Sequence, residues 1–383
     1  MRIAIFESIW TPAGHEIEFD RILSEELSDL GHEVVFYVPE GHTFQFDYQK
    51  PINYLPGRGV SYTGVSKLQK TLFSLKREFN RLGWYRALHQ EALKGAFDAI
   101  IVPTSTYRYF RSLTKSCLKN SPVPLLFIVH GVNPRESTNF FKQVEQLRKY
   151  PEFRAGVLTF GQDIFGRKEE NVYCLYPPVY TPRDITVSEQ ISFHGAGVER
   201  PLRLGFFGQY RREKKLDAFL DAFLACRFEA KVELLVQGAT MRTEDAADFE
   251  RIQKQYGHHS HIKFWHKALI GKEWQEALAG IDALVMPYAA ERYRYHWGGM
   301  LFTALGFFKP VVITDNINPE VIQNYDIGVH FPAGDSQKLT EAIEKFVNTF
   351  PQKTSIYEKE LCRANEDFSP ELFAKKLLEL LRK

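Results

Sequence analysis

Two short stretches of this sequence have the composition of anion sites. Gly298 and Gly299 stand before an apolar run, Met300, Leu301, Ala304, Leu305 and Phe308, whose spacing predicts a helix. The start of a helix presents unpaired N–H groups and the positive end of its dipole, and bare glycines let a phosphate come close to both. Arg211, Arg212 and Lys214 are expected to begin a second helix, marked by Leu216, Phe219, Leu220, Phe223 and Leu224 on one face. Cations at that end oppose the helix dipole unless an anion lies nearby, so this set also points to phosphate. His130, with Gly131, ends the apolar run 125–129, and the carboxyl ends of parallel strands face the crevice in which ligands bind. Gly14 permits a similarly close approach after the first apolar run.

The elements that would carry these groups alternate. Residues 2–6 read as a strand, Phe19, Ile22, Leu23, Leu27 and Leu30 share one face of a helix, and 34–38 reads as a strand after Gly31. Further strands of buried type are expected at 100–102, 125–129 and 157–160. Between about 180 and 200 the periodicity lapses, and Pro182, Gly195, Gly197 and Pro201 mark a linker. A second cycle then runs through strands at 204–207, 232–236, 262–265, 283–286 and 311–313. Strands alternating with helices predict parallel sheets covered on both faces. The expected fold is therefore α/β, with two tandem Rossmann-like, doubly wound domains at 1–182 and 201–365, and a C-terminal helix at 366–383 packing back toward the first.

Composition narrows the function classes. A chain of 383 residues suits two domains, and 44% hydrophobic residues with a net charge of +2 argue against disorder and against coating of nucleic acid. Cys117, Cys174, Cys226 and Cys362 lie far apart, without the spacing of a zinc site or a disulfide framework, and are expected to be reduced. His258, His259 and His261 have no carboxylate at ligand spacing, and no Asp-x-Asp pair occurs, so neither metal nor cofactor is expected. No leader-like or membrane-length apolar run is read, which gives a cytoplasmic expectation. The segment 67–119 is basic and aromatic: Lys67, Lys70, Lys76, Arg77, Arg81, Arg86 and Lys94, then Arg108, Arg111, Lys115 and Lys119, interleave with Leu72, Phe73, Leu75, Phe79, Trp84 and Tyr85. Such a surface suits an anionic membrane, with peripheral attachment, or an anionic saccharide.

Several of these residues also stand in a familiar order. The run Gly208-Gln209-Tyr210-Arg211-Arg212-Glu213-Lys214-Lys215-Leu216-Asp217 resembles the strand-to-helix turn of glycosyltransferase family 4 and its GT-B relatives. The run PYAAERYRYHWGGMLFTALGFFKPVV, residues 287–312, is similar to the donor-binding stretch of that family, and Gly14-His15-Glu16 followed by Leu27 to Val34 is similar to its first turn and strand entry. The likeness runs from about 1 to 345. Many members carry two glutamates where Tyr295 and Thr303 stand here, whereas Tyr293, Arg294, His296, Gly298 and Gly299 fit one branch of the family.

The resemblance implies a retaining, metal-independent glycosyltransferase of hexosyltransferase type. It would move a sugar from a nucleotide diphosphate sugar to a saccharide or lipid-linked acceptor, in glycan or cell-surface polysaccharide synthesis. The first domain would bind acceptor and the second donor, facing each other across a cleft. Lys214, Arg211 and Arg212 would meet the diphosphate, Tyr293, Arg294, His296, Gly298, Gly299, Met300 and Thr303 would line the donor site, and His130 and Gly14 would lie near the transferred sugar. Tyr288 and the backbone of 267–269 would border base and ribose. Two alternatives stay open: a nucleotide-sugar epimerase or hydrolase of the same fold, for which the sequence places no proton-moving carboxylates, and an inactive nucleotide-sugar-binding protein.

Overall fold

A computed structural model of the chain describes residues 1–9, 15–59, 67–160, 167–191 and 200–383. They divide into two units, one of 1–9, 15–177 and 370–383, the other of 178–369.

In the first unit the strands are β1 (Arg2–Phe6), β2 (Glu33–Glu40), β3 (Ile52–Arg58), β4 (Ala99–Ser105), β5 (Leu125–Val129), β6 (Phe153–Leu158) and β7 (Val172–Leu175). The helices α1 (His15–Asp29), α2 (Lys67–Leu93), α3 (Tyr107–Thr114) and α4 (Pro134–Leu147) connect them. All pairings are parallel, in the order β3-β2-β1-β4-β5-β6-β7. Every residue of β4, β5 and β6 is buried, as a sheet covered on both faces requires. Trp84 and Tyr85 of α2 and Phe110 of α3 pack with Phe127 and Phe153 of the sheet in one aromatic core. Each such ring removes about 150–250 Å² from water, roughly 4–6 kcal/mol of favourable transfer at about 25 cal/mol per Å².

The second unit holds β8 (Leu202–Phe206), β9 (Val232–Gln237), β10 (Ile262–Trp265), β11 (Ala283–Met286), β12 (Val311–Thr314) and β13 (Gly328–Phe331), in the parallel order β10-β9-β8-β11-β12-β13. Its helices are α5 (Leu216–Ala225), α6 (Thr243–Tyr256), α7 (Gly271–Ala279), α8 (Gly299–Gly306), α9 (Pro319–Asn324) and the long α10 (Ser336–Asp367). The last helix, α11 (Pro370–Arg382), belongs to the first unit, where it packs on α1 and β5 and sets Phe373 edge-on to Phe19. In each unit the strand order reverses beside the first strand, between β1 and β4 and between β8 and β11, and these switch points are where doubly wound sheets bind ligands.

Three details differ from the reading of the sequence. The strand expected at 157–160 lies at Phe153–Leu158, because Arg154 is buried and its guanidinium is satisfied by the Glu152 carbonyl at 3.0 Å. The expected linker begins as packed structure: Tyr180 N–H donates to Phe302 O at 3.1 Å, and the Arg183 and Asp184 N–H groups both donate to Gln275 Oε1 at 2.9 Å. Its Gly195 and Gly197 lie outside the described residues. The segment 67–119 is only partly a surface, since Arg81, Trp84 and Tyr85 are buried and Arg81 pairs with Glu78 at 3.0 Å.

Candidate functional site

The second unit carries most of the expected residues in the segments that follow its central strands β8 and β11. β8 ends at Phe206, and Gly208 takes a positive φ of 104°, which a side chain would strain. A Cβ there would lie 3.2 Å from Met300 Sδ, so this glycine is what lets the turn after β8 lie against the start of α8. Gln237 at the end of β9 fixes the turn, accepting the Gly208 N–H at 2.8 Å and donating to Lys267 O at 2.5 Å. Arg212–Lys214 then forms a 3-10 turn, and Lys215, at φ 53°, starts α5.

That turn corrects the placement of the three cations. They precede α5 rather than opening it, and the left-handed Lys215 folds Lys214 inward. Lys214 is 6% exposed; its ammonium donates to Tyr288 Oη at 3.2 Å and stands 4.3 Å from the centroid of the Tyr288 ring and 5.6 Å from that of Phe206. Among the described residues no carboxylate lies within ion-pairing distance of it. Burial, reinforced by Arg211 and Arg292, lowers its pKa to about 7. An ammonium removed from water needs an anion or loses its proton. Arg212, by contrast, is 57% exposed and turned to Asp245, 3.6 Å away. Arg211 donates to Gln209 Oε1 at 2.9 Å and lies 3.9 Å from Glu213.

From β11 the chain enters the loop 287–298, which β12 pins down. Thr314 Oγ1 donates to Tyr288 O at 3.0 Å, and Asn316 Nδ2 donates to Ala290 O at 3.2 Å. The Tyr293 ring lies 5.1 Å from that of Tyr288. Burial raises the phenol pKa of both. Arg294 pairs with Glu320 of α9 at 2.9 Å, and His296 is half-buried.

The two glycines at the head of α8 are needed for a different reason than expected. The Gly298 N–H is not free, because it donates to Asn318 Oδ1 at 2.9 Å, and the Gly299 N–H donates to Trp297 O at 3.1 Å. A Cβ on Gly298 would come within 2.7 Å of Asn318 Oδ1 and Ile317 Cγ2, so close packing demands the glycine. Among the described residues it is the Met300 N–H, in the first turn of α8, that has no partner. Thr303 is buried and its hydroxyl donates to Gly299 O at 2.9 Å, within the helix itself.

His130 lies in the first unit, at the end of β5. Gly131, at φ 111°, and Asn133, which accepts the Glu136 N–H at 3.1 Å, turn the chain into α4. His130 Nε2–H donates to Pro103 O at 2.8 Å, and its ring meets Phe19 edge-on at 4.9 Å. Gly14 lies outside the described residues.

Sequence reasoning missed two groups. Arg292 joins the cation set through an ion pair with Glu213. In the first unit, Glu7 directly follows β1, and Asp20 of α1 is buried with it; Glu7 Oε2 and Asp20 Oδ1 are both buried without a partner. Burial pushes the Glu7 carboxyl up to about 8 and Asp20 well above the usual carboxylate range, each raised further by nearby Glu16. A carboxylate immediately after an apolar strand was the available signal for Glu7. Among the described residues no three of His, Cys, Asp and Glu come together as a metal would require, and no helix is long and apolar enough to cross a membrane.

This fold is that of GT-B glycosyltransferases. Residues 201–349 match the family described as glycosyl transferases group 1, so the second unit carries a domain of that family, and the chain is a glycosyltransferase. Its architecture over the full length is shared with solved structures of low sequence identity. HepE of Anabaena, solved in complex with UDP and glucose, is 14% identical with a TM-score of 0.67, over 100% of this chain and 99% of that one. The catalytic domain of starch synthase IV from Arabidopsis thaliana, bound to ADP and acarbose, is 12% identical with a TM-score of 0.68, over 100% and 98%. WaaG, a glycosyltransferase involved in lipopolysaccharide biosynthesis, is 15% identical with a TM-score of 0.62, over 99% of each chain. No curated protein matches the sequence.

Proposed function

We propose that this glycosyltransferase takes a sugar from a nucleotide diphosphate sugar and passes it, with retention and without a metal, to a saccharide or lipid-linked acceptor in glycan or cell-surface polysaccharide synthesis. One observation carries the reading: Lys214 is a buried ammonium at the switch point of the second unit that makes no ion pair among the described residues, with Glu213 as its one opposing charge. As the bond from the sugar to the diphosphate breaks, its electron pair moves to the leaving oxygen, and that charge must be met by fixed donors. Lys214, Arg211 and the Met300 N–H would supply them, and Tyr293, Arg294, His296 and the 298–299 backbone would shape the pocket around the donor. The leaving diphosphate oxygen takes the acceptor's proton on the same face, which gives retention. His130 would orient the acceptor or the sugar. UDP in HepE and ADP in starch synthase IV support a nucleoside diphosphate as the shared donor part.

A thermal-shift screen with UDP, GDP, ADP, TDP and CMP, with and without chelator, tests this. Saturable stabilisation by one diphosphate, unchanged by chelator, is expected, and its sugar conjugate should then transfer with the anomeric configuration kept. Stabilisation by none of them, in folded protein, would contradict the reading.

For the acceptor side we propose contact with an anionic membrane surface. On α2, Leu72, Leu75 and Phe79 are exposed along one stripe, Phe79 at 73%, with exposed Lys76 and Arg86 on the same face. Arg108, Arg111 and Lys115 of the next segment are exposed too. Co-sedimentation with vesicles rich in phosphatidylglycerol, lost in Leu75→Ser with Phe79→Ser, is the expected result; binding to neither neutral nor anionic vesicles would contradict it.

A further inference from the structure

Resting on the donor reading above, the geometry points to Glu213 as an internal counter-ion that the diphosphate displaces, freeing Arg292 as a further phosphate-binding side chain. Glu213 sits in the 3-10 turn after β8, and Arg292 in a second 3-10 turn, Glu291–Arg294, after β11. The two turns face each other across the switch point of the second sheet. The Arg292 guanidinium makes an ion pair with Glu213 through Nη2, Tyr293 Oη donates to the same carboxylate oxygen at 3.4 Å, and Arg211 Nη1 lies 3.9 Å from it. Lys214 feels Arg211 and Arg292 as like charges and Glu213 as its one opposing charge. Three cations thus share a single carboxylate, an imbalance that a doubly charged phosphate would correct.

The arrangement is also incomplete in its hydrogen bonds. Arg292 Nε is buried and has no partner, so one edge of its planar fork lacks an acceptor. Two oxygens of a phosphate group can accept from a guanidinium in parallel, whereas Glu213 meets Arg292 only at Nη2. Glu213, at 37% exposed, can leave for solvent without burying its charge, and Arg292, at 38%, can be reached by a ligand. In the free protein Glu213 holds Arg292, and through it Tyr293, near the place where the diphosphate arrives; in the complex it would repel the ligand and must give way.

Calorimetric titration with UDP, GDP, ADP and inorganic pyrophosphate, on wild type, Glu213→Gln, Arg292→Gln and the double variant, tests the exchange. Wild type binds one of the nucleotides. Glu213→Gln is expected to tighten that nucleotide by about three- to tenfold and pyrophosphate similarly, Arg292→Gln to weaken both by about tenfold, and the double variant to resemble Arg292→Gln. Weaker binding in Glu213→Gln would make Glu213 a fixed anchor and overturn the exchange. Unchanged binding in Arg292→Gln would remove Arg292 from the phosphate site. Absence of binding by wild type itself would instead overturn the donor reading, and this inference with it.

Discussion

The two sheets share one topology and bury opposite chemistry at their switch points. Beside β1 the first unit encloses two carboxyl groups, Glu7 and Asp20, while beside β8 the second encloses the Lys214 ammonium. Neither has an opposite charge within reach among the ion pairs of the described residues, yet they resolve the cost differently. The acids hold their protons, with Glu7 raised to about 8. The lysine loses part of its charge, lowered to about 7, and has the like charges of Arg211 and Arg292 around it. Protonation makes an acid pair self-sufficient, whereas a lysine surrounded by cations is completed only by an anion from outside.

The sharpest break in that comparison is Lys214→Ala. It should lower transfer by on the order of ten- to a hundredfold, the value of a charge-assisted bond of about 1.5–3 kcal/mol, and abolish stabilisation by the diphosphate. Lys214→Met should do the same while raising the melting temperature of the free protein, since a buried unpaired charge is replaced by an apolar chain of similar shape. A melting temperature that falls in Lys214→Met would mean that the ammonium has a stabilising partner.

Next in size are the opposed pH slopes. Glu7 binds its proton more tightly folded than unfolded, so its contribution is complete below about 4.5 and is lost as pH rises through about 8. Lys214 binds its proton less tightly folded, so its contribution is complete above 10.5 and is lost as pH falls through about 7. Glu7→Gln should therefore stabilise the protein by several degrees at about pH 9 and by much less at about pH 5, and Lys214→Met should stabilise most near pH 6. Melting curves across pH check both, and parallel profiles for wild type and Glu7→Gln would refute the buried-acid account.

A smaller effect is expected at Gly298→Ala. The added methyl would press on Asn318 and Ile317 and should weaken diphosphate binding several-fold, measured by titration, although the N–H it carries is already engaged. Smallest is Arg212→Ala, whose half-exposed guanidinium already faces Asp245; less than about a threefold change in transfer is expected. A large loss there would move the phosphate site toward the surface.

Much of this was legible in the sequence. The central strands β1, β2, β4, β5, β8, β9, β11 and β12 read as continuous apolar runs because parallel strands are buried on both faces. The edge strands β3, β7 and β13 escaped, for β3 is mostly exposed and β7 and β13 are only four residues long and partly exposed. Lys214 was visible from its place before a helix, but its burial depends on the left-handed turn at Lys215, which no pattern announces. That Arg212 and Arg294 are taken up by Asp245 and Glu320 could not be read at all, since those partners come from other loops and helices of the fold. The glycines before α8 were read as a phosphate site, but both of their N–H groups are engaged, and the donor left open is one residue further on.

The most direct test is to count protons on ligand binding. Calorimetric titration of the stabilising diphosphate near pH 8, in buffers of different ionisation heat, should show uptake of about one proton as Lys214 recovers its charge, and none in Lys214→Met if that variant still binds. Binding by wild type without proton uptake would contradict the claim that a buried, partly neutral lysine is the anion site of this transferase.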